Sequence, residues 1–216
     1  MKIINTLFCL FLLMLSSCNS NDNNAFKKNN KSAATQQTKN RKKRDSGQKE
    51  PQKDKITLTS EESKLLNSLV TAFKYTIEKL SEKIQGCNNG NKGKCAEFFD
   101  WLFSTDTQKQ KELASAFTTV YNFLESKRQS KANDEDFDAY IKGAIDCKTK
   151  NQDNQCNKHN DKYGNGTNDI EQYFRGVAGD IFNENSNEEI YKCLKDKLLD
   201  TGENGHYAGL TTNWQN

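Results

Sequence analysis

Apolar positions along the chain fall into three regimes. Residues 1–17 are almost continuously apolar, with Ile3 to Leu15 interrupted only by Asn5 and Thr6. Residues 19–55 are almost continuously polar, with Phe26 as the one large apolar side chain. From Thr59 onward apolar residues recur every three or four positions, the period of a helix buried along one face. Thr59-Ser60-Glu61-Glu62 reads as a capping box. It is followed by Leu66, Leu69, Phe73, Ile77, Leu80 and Ile84, with Gly86 as the expected C-cap of a long helix. A short aromatic segment, Phe98-Phe99-Asp100-Trp101-Leu102-Phe103, comes next. A helix is then expected over about 107–127, and another begins at Asn133 or Asp134 and carries Phe137, Tyr140, Ile141 and Ile145. Asn168 or Asp169 opens a further helix. Ser186-Asn187-Glu188-Glu189 is a second capping-box pattern, before a helix ending near Gly202. No alternation of useful length suggests a strand. The expected body is all-α, a compact bundle of five or six helices over residues 59–202. Residues 203–216 form a tail whose Trp214 is expected to dock on the body.

The first regime has the form of an export signal. Lys2 supplies a positive start, and the apolar stretch is too short for a membrane span, which needs about twenty residues. It ends in Leu15-Ser16-Ser17-Cys18, which resembles a bacterial lipobox. An aliphatic residue seats the segment, small residues expose the bond, and the Cys18 thiol accepts a diacylglyceryl group. Residues 1–17 are therefore read as a removed signal peptide, and Cys18 as the lipid-bearing N-terminus. Each buried methylene contributes roughly 0.8 kcal/mol, so two or three acyl chains anchor a protein durably where one does not.

Charge sharpens the division. Residues 19–55 hold eleven Lys/Arg and four Asp/Glu, whereas residues 56–216 hold twenty and twenty-five. A basic arm thus precedes an acidic body. Residues 18–58 bury too little to offset their ordering entropy and are expected to form a disordered tether. Some forty residues of such chain span about 35 Å on average. Within the tether Arg41, Lys42, Lys43 and Arg44 form a basic run. It suits heparin-like polysaccharide or anionic lipid, or else acts as a solvated spacer.

Candidate chemistry in the body is sparse. Export permits disulfides among Cys87, Cys95, Cys147, Cys156 and Cys193. Five thiols leave several pairings open, including none. Local geometry favours Cys87–Cys95 and Cys147–Cys156, each closing a polar loop, with Cys193 a buried free thiol on an apolar helix face. The step from Cys147 to Cys156 is not a zinc-finger spacing. Residues 161–172 resemble an EF-hand at Asp161, Asn165, Gly166 and Asp169. However, Tyr163 and Gln172 replace two ligands, and a Gly/Asn turn is the expected structure. There is no nucleophile elbow, P-loop or HExxH, and the two histidines, His159 and His206, lie in polar segments. The sequence predicts a protein that is not an enzyme, with no metal, cofactor, nucleic acid or small-molecule substrate, and no prosthetic group beyond the covalent lipid on Cys18.

The leader from Met1 to Asn5 and Ser17-Cys18-Asn19-Ser20-Asn21 resembles that of the multicopy lipoprotein (Mlp) family of Lyme-disease Borrelia. So do Lys43-Arg44-Asp45 and the first long helix ending near Cys87. The distal half, from Glu97-Phe98-Phe99-Asp100-Trp101-Leu102 to His206-Tyr207-Ala208-Gly209-Leu210, is similar to the longer members. This resemblance implies an antigenic outer-membrane lipoprotein exposed to the host and connected with pathogenesis; a host protein or polysaccharide is the partner expected for such a surface. The resemblance carries one residue, Cys18, onto the lipidated cysteine and supplies no catalytic residue.

Overall fold

The computed structural model describes residues 56–149, 161–165, 167–212 and 214. Residues 1–17 read above as a signal, Cys18, the basic run and Cys156 lie outside them. Seven α-helices and no strand are present among the described residues. They are α1 (Ser60–Leu80), α2 (Lys92–Ser104), α3 (Thr107–Lys131), α4 (Phe137–Thr149), α5 (Asp169–Ile181), α6 (Asn187–Leu199) and α7 (His206–Thr212). The protein is an all-α bundle.

Helix α1 starts where the capping box places it. The Thr59 hydroxyl accepts from the Glu62 amide at 3.1 Å, and the Glu62 carboxylate accepts from the Thr59 amide at 2.7 Å. Two of the first turn's unpaired donors are satisfied reciprocally in this way. The apolar face of α1 is buried along its whole length, and it packs against α2, α3, α4 and α5. The helix ends at Leu80, earlier than expected. A tighter turn over Ser81–Lys83 follows and delivers Ile84 into the core. Gly86 acts through close approach: its φ is +86°, and a Cβ there would lie 2.0 Å from the Phe182 carbonyl oxygen. Only a residue without a side chain fits both conditions.

The aromatic segment belongs to a helix. In α2 the positions Cys95, Phe98, Phe99 and Leu102 are buried at helical spacing. Phe99 and Phe98 meet Phe182 edge-on with centroids 6.3 and 6.1 Å away, and Phe73 of α1 meets Phe174 of α5 edge-on at 5.3 Å. Edge-on pairs set the positive rim of one ring against the negative face of the next. This aromatic cluster joins α1, α2 and α5.

Helix α3 runs on to Lys131, and α4 is capped later than the sequence suggests. The Asp136 carboxylate accepts from the Ala139 amide at 2.7 Å, a side-chain cap on an otherwise unpaired donor. Arg128 explains the shift. It grips Glu125 through two nitrogens, each at 2.7 Å, and donates a third bond to the Glu135 carbonyl. The forked, charge-assisted grip fixes 132–135 as a turn. The pattern at Ser186 is half a capping box. Its hydroxyl accepts from the Glu189 amide at 3.3 Å, but the Glu189 carboxylate takes the Ser186 hydroxyl instead of its backbone amide.

The segment read as a tail joins the bundle. Helix α7 packs on α5, Leu210 is buried, and Trp214 is 2% exposed. The Trp214 ring meets Phe123 edge-on at 6.1 Å, and the Lys127 ammonium sits 5.3 Å from the centroids of both rings. A cation over two ring faces adds an electrostatic attraction to the burial. No described helix is long and apolar enough to cross a membrane.

Candidate functional site

Cys87 and Cys95 are joined across the loop between α1 and α2, with Cα atoms 5.8 Å apart, within the ordinary span of such a bridge. Both are buried, so the bridge caps the core and leaves residues 89–94 exposed. Cys147 and Cys193 are disulfide-bonded as well. The expectation of a free thiol at Cys193 is thereby corrected. Its place on the buried face of α6 is as expected, but that face reaches another cysteine.

The loop with EF-hand features turns its acid inward. Asp169 accepts from the Asn165 amide at 3.1 Å through one carboxylate oxygen and from the Thr167 hydroxyl at 2.6 Å through the other. Tyr163, at the third position of that loop, is buried with its ring 5.6 Å from Tyr140, and the Tyr140 hydroxyl donates to the Lys162 carbonyl. Asn168 caps α5 through the Glu171 amide and ties it to α4 by donating to the Ala144 carbonyl at 2.6 Å. Burial pushes the Asp169 carboxyl up, partly opposed by the two bonds it accepts, since a low dielectric penalises the charged form. The loop is an anchored turn, and no group of three or more metal-ligating side chains occurs among the described residues.

A polar cleft has no counterpart in the sequence expectations. About 920 Å³ of space opens between α5, the end of α6 and the 200–206 turn. Asp180 is among the residues lining it. One oxygen of its carboxylate takes the Lys197 ammonium at 2.7 Å and the His206 ring nitrogen at 2.9 Å. Burial works against ionising Asp180, but bonds from His206 and Lys197 outweigh it and hold the carboxyl below its ordinary range. Hydrogen bonds and cations both favour the charged form. The approach is possible because position 176 is glycine, where a Cβ would stand 2.7 Å from the His206 ring. Arg175 lines the same space and is oriented by Glu171, a fully buried carboxylate on its Nε at 2.5 Å. A His–Asp pair tied down by a lysine, with no hydroxyl or thiol nucleophile on the imidazole among the described residues, has the chemistry of an ion-pair clamp. It fixes α7 to α5 and α6. A second depression of about 740 Å³, between the starts of α1 and α4, is lined mainly by small and polar residues such as Ser60, Ser63, Asn67 and Ala139.

Sequence reasoning missed this constellation, and no local signal could have found it. Gly176, Asp180, Lys197 and His206 come from three helices and form no motif along the chain.

These observations define a class of protein: a disulfide-stapled helical domain with a polar cleft, preceded in the sequence by an apolar stretch and a basic one. A family model described as the Mlp lipoprotein family matches residues 35–194, and the chain belongs to that family. It is 66% identical over 217 residues to lipoprotein MlpJ of Borreliella burgdorferi, covering the whole of both chains. It is 58% identical over 227 residues to lipoprotein MlpB of the same organism, again along the full length of both. No solved structure matches.

Proposed function

We propose that this lipoprotein is anchored in the outer membrane through acyl chains on Cys18, and that its tether holds the helical domain outside the cell as an antigenic, non-catalytic surface for contact with the host. The observation that carries this reading is Leu15-Ser16-Ser17-Cys18 standing between an apolar stretch and a polar arm of some forty residues. Membership in a lipoprotein family supports the lipid, and the length of the arm supports display clear of the headgroups. The filled core, with a cleft at α5 and α6 lined mainly by polar residues, supports recognition by an outer face over enclosure of an apolar ligand.

Protease treatment of intact spirochaetes tests this placement. The body is expected to be digested without lysis, and the Cys18→Ala variant is expected to leave the membrane fraction. A body protected until the cells are broken would mean that the protein faces the periplasm as a structural lipoprotein.

A second reading rests on Arg41-Lys42-Lys43-Arg44, whose four consecutive cations fit a sulfated polysaccharide. On that reading the arm is the adhesive element.

A further inference from the structure

The chain contains three Asn-Gly pairs, Asn89-Gly90, Asn165-Gly166 and Asn204-Gly205. Such pairs carry a latent reaction. The backbone nitrogen of the glycine loses its proton to a base and attacks Cγ of the asparagine. A five-membered succinimide forms as the bond from Cγ to Nδ2 breaks, and ammonia leaves. Water then opens the ring at either carbonyl, giving aspartate or isoaspartate. The rate depends on whether the glycine amide is free, whether space surrounds it, and whether nearby positive charge favours the deprotonated nitrogen.

The structure separates the two pairs it describes in full. Asn89 is exposed, with φ of +53°, and Gly90 follows at +88° with nothing within 4 Å of the place a Cβ would occupy. The Gly90 amide has no hydrogen-bond partner among the described residues, while the flanking bond from the Asn91 amide to the Asn88 carbonyl closes the turn at 3.0 Å. Two residues on, α2 begins, with Lys92 and Lys94 exposed in its first turn. The Lys92 ammonium is taken up by the Glu78 carbonyl at 2.9 Å, so the local positive bias on the Gly90 nitrogen comes from the start of α2. Gly205 is the opposite case. Its amide donates to the Gly202 carbonyl at 2.9 Å, and the Asp200 carboxylate and carbonyl stand 2.9 to 3.0 Å from its Cβ position.

We infer that Asn89 is a site of spontaneous deamidation, so that the exposed loop closed by Cys87 and Cys95 converts from a basic to a more nearly neutral surface as the protein ages. The chemistry needs only water and a base, and asparagine is among the thermolabile residues. In the isoaspartate product the backbone link at residue 89 runs through the side-chain carbonyl instead of the original one. This lengthens the turn by one atom.

The experiment uses the full chain in detergent, aged at mildly alkaline pH in heavy-oxygen water and mapped by mass spectrometry of proteolytic peptides. Isotope incorporation at residue 89 is expected to outrun that at residue 204 by roughly five- to tenfold, the factor set by one retained hydrogen bond on the glycine amide. The same chain aged in denaturant is expected to lose most of the difference, and Gly90→Ala is expected to suppress labelling at 89 alone. Equal rates at 89 and 204 in the folded protein would overturn the inference. So would an intact Asn89 in a folded protein whose denatured form reacts.

Discussion

At Gly86 the chain passes so close to the end of α5 that a single methyl group decides the matter. Any side chain there meets the Phe182 carbonyl and also requires a left-handed backbone. Gly86→Ala is expected to cost at least about 2 kcal/mol in urea unfolding, because both penalties act together. Glu112 is the clearest acid-sensitive residue. The Tyr191 hydroxyl at 2.8 Å, the Lys195 ammonium at 3.0 Å and the Gln108 amide at 3.1 Å hold its carboxyl at about 2, well below the ordinary 4.5. Each of these donors favours the ionised form. A carboxyl whose folded value is depressed stabilises the protein above its unfolded value, and that stabilisation disappears as pH falls through the interval down to the folded one. Glu112→Gln is therefore expected to flatten the stability curve between pH 4.5 and about 2. At neutral pH the loss, discounted for the side chain's exposure to solvent, is about 1 kcal/mol. Chemical denaturation at a series of pH values measures both. A wild-type curve already flat across that interval would count against the assignment.

Among the helices, those with long apolar stripes are legible from spacing alone, and those with fewer than two turns of stripe are not. Helix α1 announces itself by its capping box and periodic apolar residues, yet it stops short of Gly86 because that glycine serves packing and not the cap. The stripe of α2 runs through Cys95, so the adjacent phenylalanines by themselves look like a cluster without a period. Helix α4 begins later than its local Asn and Asp suggest because Arg128, in the preceding helix, claims the intervening turn. Helix α7 is too short for periodicity to register, and only the burial of Leu210 and Trp214 reveals its role. Trp214→Ala is expected to destabilise the bundle by about 3 kcal/mol, as lost burial leaves Phe123 and Lys127 uncovered. Unfolding followed by Trp101 fluorescence checks it. A shift near zero would mean that the last residues add nothing to the body's stability.

On the scale of the whole molecule, the division of charge is plain in the sequence, while the cleft around Asp180 is not. Opposite charges that follow one another along a chain can be counted, whereas an ion-pair clamp assembled from three helices exists only after folding. If the arm is adhesive, its binding to immobilised heparin weakens steeply with salt, because mobile ions screen and compete for the same cations. Replacement of Arg41 through Arg44 by alanine then abolishes it. Retention that ignores both changes would assign any adhesion to the helical faces.

On the proposed anchoring, the N-terminal stretch joins the body at residues 57–59, directly ahead of the helix that packs against four others. Shear transmitted from a moving cell to a captured host ligand would therefore load the central strut first, not a peripheral one. On that reading, pulling from the N-terminal side is expected to unfold the bundle in one step, not helix by helix.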